Sequence, residues 1–218
     1  MTEILTVWQP LYFPKIHYFN RLLQSDAFVI FDDAEFSRRS RQHRAEIKFQ
    51  NNRWLTIPIQ RKTDTIAINE TRIDMQQPWS QQHLRTLEAK YGGSASEMFE
   101  EHYEALETGS TLSEITVPLL NKLINMFDIE INIYRSSELN IDYTKGEASS
   151  YNARLTNELG CETYYCGENA YESYLDETEF TSRDIEIKIQ NWEPQWWDGN
   201  VICLDPIFNS SEPRKAIQ

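Results

Sequence analysis

An α/β protein with a mainly parallel sheet is what this sequence predicts. Two observations carry that reading. Short apolar runs rich in β-branched residues alternate with amphipathic stretches along most of the chain, and the opening reads strand, loop, short helix, strand. A βαβ unit of that kind implies a right-handed crossover and a parallel strand pair.

The elements follow in order. EILTVW is apolar and β-branched, and Gln9-Pro10 ends it, so it is a buried strand. KIHYFNRLLQS places Ile16, Phe19, Leu22 and Leu23 on one helical face, and AFVIFDD is a second buried strand. WLTIPI and IAINETRI read as further strands, with Pro58 marking an edge or a strand end. A helical insertion then runs from about residue 78 to 127. Its first helix opens at Pro78 and closes at Gly92-Gly93, its second starts with a Ser94–Glu97 capping box, and its third carries Pro118 as a kink or early-turn residue. Strand and helix alternate again through IEINIY, YNARLTNELG, ETYYCG, AYESYL, DIEIKIQ and a short helix near VICLDPIFN. One domain over residues 1–210 and a loose tail at 211–218 complete the expectation.

Bulk properties narrow the function. The 218 residues suffice to bury a core without staples, and three cysteines, Cys161, Cys166 and Cys203, make neither a disulfide framework nor a CxxC site. They read as small buried hydrophobes. The first residues carry an acid where a signal peptide is basic, and no apolar segment approaches the ~18 residues of a membrane span. These features point to a cytoplasmic protein. A net charge of −13 disfavours nucleic acid as a partner.

In open parallel sheets, ligands bind where strand ends turn into helices. QPLYFPK, DDAEFSRRSRQHR and CGENAYESYL all occupy such places, so three polar, aromatic-bearing loops converge if their strands are neighbours. The second loop is the most charged: Arg38, Arg39, Arg41, Arg44 and Lys48 are five of the chain's 21 Lys and Arg residues, opposed locally only by Glu46. Guanidinium forks with Ser37 and Ser40 between them suit a phosphate or carboxylate, or they form a solvated run paired with acids elsewhere. His17, near a helix start, is an acid–base group, a phosphate contact or a surface residue. Asp32 and Asp33 hold magnesium at a strand end or pair with the nearby arginines. Trp192, Trp196 and Trp197 offer a sugar-stacking platform, a surface for a protein partner, or a lid packed on the core. P-loop, dinucleotide and hydrolase-elbow motifs are absent from the sequence.

These residues resemble the WbqC-like protein family, whose opening motif reads approximately Gln-Pro-x-Tyr-x-Pro-Trp-x-Gly-Tyr-Phe. Here it is QPLYFPKIHYF, Gln9 to Phe19, followed by DDAEFSRRSRQHRAEIK, WLTIPI, YYCGENAYESYLD and CLDPIFN in the family's order. Lys15, His17, Arg41 and His43 depart from the pattern, standing where it has Trp, Gly, Trp and Asn, and make the crevice more attractive to anions. The resemblance covers nearly the whole chain. It implies a Rossmann-like domain from gene sets for polysaccharide, O-antigen and modified-sugar biosynthesis, with Ser37, Arg39, Ser40, Gln42 and Arg44 as family-pattern residues.

A second likeness is to nucleotidyltransferases and pantothenate-synthetase-like ligases, which open with a strand and a Pro-x-x-Gly-His helix start. PKIHY stands at that place, with His17 for the Gly and Tyr18 for the His. The analogy implies a nucleotidyl or acyl transfer, with ATP or another nucleotide and Mg2+ as cofactor. Taken together, the expected enzyme binds a phosphorylated small molecule, a nucleotide or nucleotide-sugar. Arg39 and Arg44 hold phosphate, Gln9 and Tyr12 orient the substrate, and His17 or Tyr18 moves a proton or contacts phosphate. Asp32 or Asp33 holds magnesium or a ribose hydroxyl, while Gly167 and Tyr174 complete the crevice. The alternative is a non-catalytic small-molecule-binding or assembly module with the same crevice.

Overall fold

A computed structural model describes residues 3–49, 51–60, 66–195 and 197–218. Strand β1 (Ile4–Trp8) leads through a Pro-containing loop into α1 (Ile16–Leu23) and then β2 (Ala27–Ile30). The helix forms on the expected face, with Ile16, Phe19 and Leu22 fully buried. No side chain caps its start; instead Ile16 N donates to Val201 O at 3.0 Å. The chain continues through a hairpin, β3 (Arg44–Ile47) and β4 (Arg53–Thr56), and three helices, α2 (Trp79–Tyr91), α3 (Gly93–Glu104) and α4 (Leu112–Met126). Strand β5 (Asn132–Arg135), helix α5 (Ala148–Glu158), strand β6 (Thr163–Gly167), helices α6 (Glu168–Tyr174) and α7 (Glu177–Thr181), strand β7 (Glu186–Gln190) and α8 (Leu204–Asn209) complete it.

The main sheet has the order β5-β2-β1-β6-β7, and every pairing in it is parallel. Alternation along the strands sends side chains to two cores. Phe28 and Ile30 join Phe19, Leu120 and Phe127 on one face, while Leu5, Ala27 and Val29 join Tyr151, Leu155 and Phe180 on the other. β2 is buried at all four positions, as a central parallel strand covered on both faces must be. This is the expected α/β, Rossmann-like architecture. The three cysteines are free and buried.

Several expectations need correction. IAINETRI is not a strand: Ile68–Glu70 is a 3-10 turn, joined to its surroundings by isolated bridges such as Glu35↔Ala67 and Arg72↔Thr111. Its backbone is drawn to loops, with Ile68 N and Asn69 N donating to Ala34 O and Asp32 O, and Thr71 Oγ1 donating back to Ala67 O. β3 lies inside the arginine-rich stretch read as loop, because Arg44 and Glu46 alternate with buried Ala45 and Ile47 and mask the pattern. The capping box sits at Thr111 and Glu114 of α4, not at Ser94; α3 starts directly after Gly92, whose φ of 95° breaks the chain between α2 and α3. The short helix α7 was not foreseen.

The C-terminal residues are packed, not loose. Pro213–Ala216 form a 3-10 turn, Ile217 is fully buried, and Asn20 Nδ2 donates to Ile217 O at 2.9 Å. Trp192 and Trp197 are half-buried against the core, and Trp192 Nε1 donates to Gln218 O at 3.0 Å; Trp196 lies outside the described residues. Ile217→Ala should therefore destabilise the protein by about 3 kcal/mol in urea unfolding. An unchanged midpoint would mean that the segment is a tail after all.

Candidate functional site

The strand order reverses between β1 and β6. The chain moves outward from β1 to β2 and β5, then returns to the other side of β1 and moves outward again through β6 and β7. Loops leaving neighbouring strands at such a switch point diverge and open a crevice. A cavity of about 600 Å³ occupies that place. Its walls come from the carboxyl ends of three strands, Trp8 of β1, Gly167 of β6 and Gln190 of β7, with His17 and Arg21 of α1, and Tyr174 of α6. His17 and Arg21 are four residues apart, hence on one helical face.

Arg21 is only 6% exposed, yet no carboxylate pairs with it among the described residues. Nε and Nη2 both donate to Gln190 Oε1, at 3.0 and 2.8 Å, and the guanidinium carbon lies 3.8 Å from the Trp8 ring centre. Burial pulls its pKa below the ordinary arginine value, partly offset by the tyrosines and Cys166 around it. Gln190 is held in turn, with Nε2 donating to His17 O at 2.9 Å and Asn20 Oδ1 at 2.8 Å.

His17 is pushed down to about 4, first by burial and then by Arg21, Lys15 and Arg41. It is neutral at physiological pH. Its Nδ1 lies 3.4 Å from Gly199 O, and a carbonyl only accepts, so the ring proton belongs on Nδ1 and Nε2 is the acceptor.

Of the residues singled out in the sequence, His17, Gly167, Tyr174 and Trp192 meet in this cavity. The rest lie elsewhere. Tyr18 is fully buried, stacks on Trp8 and donates to Gln9 O at 3.1 Å. Tyr12 is also fully buried, and its hydroxyl meets His83 Nδ1 at 2.8 Å and the Tyr103 hydroxyl, so it joins the first loop to α2 and α3. Gln9 and Gln42 bond each other, with Gln42 Nε2 donating to Gln9 Oε1 at 2.7 Å, and Gln42 Oε1 accepts from Ser37 N. Ser40 Oγ donates to Ser37 O, and Arg44 folds onto its own loop through Ser40 O and Arg39 O. Arg39 is exposed. The loop is thus internally braced, and its arginines do not line the switch-point cavity.

Asp32 and Asp33 close the other half of the sheet edge. Asp32 is fully buried and accepts from Arg135 Nε at 3.0 Å, Ser137 N at 3.1 Å and Ser137 Oγ at 2.9 Å. Asp33 accepts from Ser136 Oγ, and burial raises its pKa. These carboxylates clamp the end of β2 to the end of β5. Among the described residues, no group of three or more His, Cys, Asp or Glu side chains gathers in a metal-binding arrangement.

Sequence reasoning missed Arg21, Gln190 and Trp8 at the cavity. The spacing of His17 and Arg21 was the available signal for the first; the others stand at strand ends, where their types carried no motif.

Comparison with known proteins agrees with the motif pattern. Residues 9–215 match the WbqC-like protein family. The uncharacterized protein Rv1507c of Mycobacterium tuberculosis is 29% identical over 221 residues, covering 94% of this chain and 93% of that protein. No solved structure matches the chain.

Two outcomes follow from the geometry. Asp32→Ala should lower stability by about 2 kcal/mol, below the usual loss for a buried pair because Arg135 reaches water. Urea unfolding with and without magnesium checks this: a loss that appears only with magnesium would assign Asp32 to a metal instead. His17, His43 and His83 are all pulled from 6.5 to about 4, chiefly by burial. Protonation therefore favours the unfolded chain, so stability should be full above pH 6.5 and fall as pH drops towards 4. Thermal unfolding across that window should show a shallower fall in His83→Gln; an identical pH dependence in the variant would contradict the assignment.

Proposed function

The chain belongs to the WbqC-like protein family, and we propose that it binds a phosphorylated small molecule in the cavity between β1 and β6 and acts there as a transferase of sugar modification. The observation that carries this reading is the cavity itself: an open crevice at the topological switch point, with a neutral imidazole at its wall and aromatic surfaces at Tyr174 and Trp192. Aromatic faces suit a nucleobase or a sugar ring. The family resemblance supports a nucleotide or nucleotide-sugar in polysaccharide or O-antigen biosynthesis.

In the transfer step, His17 Nε2 takes the proton of an attacking hydroxyl. The hydroxyl oxygen bonds to phosphorus, and pyrophosphate leaves with the electron pair; in an acyl transfer the oxygen bonds to the carbonyl carbon of an activated acyl donor, and the donor's carrier group leaves with the electron pair of the broken bond. A pKa of about 4 makes His17 a weak base in the empty cavity. A bound anion raises it, because a nearby negative charge favours the imidazolium. Asp32 and Asp33 are engaged by protein donors, so any magnesium the reaction requires enters on the substrate phosphates. The low proton affinity of His17 favours a second reading, a binding module without turnover.

Thermal unfolding against nucleotides and nucleotide-sugars, followed by turnover assays on the stabilising compounds, tests both. A true ligand at ~100 times its dissociation constant adds about 2.7 kcal/mol. For an enzyme, His17→Ala should keep much of that stabilisation and lose roughly 10²–10⁴-fold in turnover. For a binder, wild type shows the stabilisation and no turnover. A panel that leaves wild type unmoved overturns the proposal.

A further inference from the structure

We propose that Arg21 is the seat for an anionic group of the ligand, a carboxylate or a phosphate, and that Gln190 is the residue that keeps the seat open. The inference deepens the reading of the switch-point cavity as a ligand site and rests on it.

A buried guanidinium is normally paired, because an uncompensated charge out of water is strongly unfavourable. Arg21 is buried, faces the cavity and has a neutral amide and the Trp8 ring, but no carboxylate, against it among the described residues. Of its five N–H donors, those of Nε and one from Nη2 go to Gln190 Oε1, and Nη1 makes no hydrogen bond among the described residues. The remaining donors suit the oxygens of a carboxylate or phosphate.

The surroundings are shaped for this. Any Cβ at Gly167 would overlap Arg21 Nη2, and the φ of Gly167 is an ordinary −87°. The guanidinium tip occupies the room that the missing side chain leaves, and a Cβ there would displace it; the backbone itself makes no demand for glycine. The orientation of the Gln190 amide is also fixed. Its nitrogen faces two acceptors, His17 O and Asn20 Oδ1, while the Asn20 amide is oriented by donation to Ile217 O. The Gln190 oxygen must therefore face Arg21. A glutamate at that position would present a carboxylate to Arg21 and neutralise it; glutamine positions the guanidinium and leaves its charge available.

The test is thermal unfolding of the full chain in inorganic phosphate and, separately, in acetate, with potassium chloride holding ionic strength constant. Wild type, Gln190→Glu, Arg21→Met and the exposed-surface control Arg85→Ala are compared, each first shown to unfold cooperatively in chloride alone. Wild type and Arg85→Ala should be stabilised by phosphate, by acetate or by both, and the active anion names the group the seat prefers. Gln190→Glu and Arg21→Met should lose affinity for that anion by roughly tenfold or more. If Gln190→Glu does not fold, Arg21→Met decides. Retention of the anion effect in Arg21→Met overturns the proposal. If nucleotide-sugars stabilise wild type and Arg21→Met equally, the cavity stands and the anion seat falls. If neither simple anions nor the nucleotide panel act on wild type, both fall.

Discussion

The guanidinium of Arg21 is held out of water with no acid beside it among the described residues, and much of the carboxyl edge of the sheet is arranged around that constraint. Gln190 at the end of β7 accepts from it and is braced by α1 through His17 O and Asn20. Asn20 is braced by the C-terminal residues through Ile217 O. Trp8 at the end of β1 supplies a face for the cation, and Gly167 at the end of β6 supplies the space. Three strands, one helix and the last residues of the chain thus converge on a single side chain. A shift in any of them changes the position or the charge balance of the cavity.

The sheet edge divides into two halves with opposite characters. On the β2–β5 side, the Asp32 carboxylate is met by the Arg135 guanidinium and by the backbone N–H and hydroxyl of Ser137. On the β1–β6–β7 side, a cation is buried with no counter-charge among the described residues and a cavity stands open. The strand order explains the difference, since only the second half contains the point where successive connections diverge. A net charge of −13 opposes an approaching anion at long range. At physiological salt that field is screened over about 8 Å, so the local cation governs the last step of entry.

Much of the fold was legible in the sequence because burial writes a simple pattern. Leu5, Val7, Phe28 and Val29 lie in apolar runs, and Ile16, Phe19 and Leu22 lie at helical spacing, so strands and helix could be placed directly. β3 escaped because its outward residues are charged, and Ile68–Glu70 was misplaced because its β-branched residues serve a turn whose bonds are long-range. The site was harder. The arginine-rich loop drew attention through composition, yet Arg44 turns onto Ser40 O and Arg39 O of its own loop and does not line the switch-point cavity. Arg21 was inconspicuous because one arginine in an amphipathic helix looks like a solvent-facing charge. Its burial depends on Gln190, 169 residues away, and no local pattern encodes that contact. Tyr12 and Tyr18 carry the polar and aromatic character of a ligand loop, but they spend it on His83, Tyr103 and Gln9 inside the protein.

The opening loop therefore has a double task. Its Tyr12 anchors the helical layer, and the helix that follows ties back to the strand end through Tyr18 and turns His17 and Arg21 into the switch-point cavity. A crystal structure of the protein soaked in tungstate, a strongly scattering phosphate mimic, tests this division most directly. The account predicts anomalous density in the cavity between β1 and β6, within hydrogen-bonding distance of the Arg21 guanidinium. Density confined to the Arg38–Arg44 loop, with the cavity empty, would contradict it.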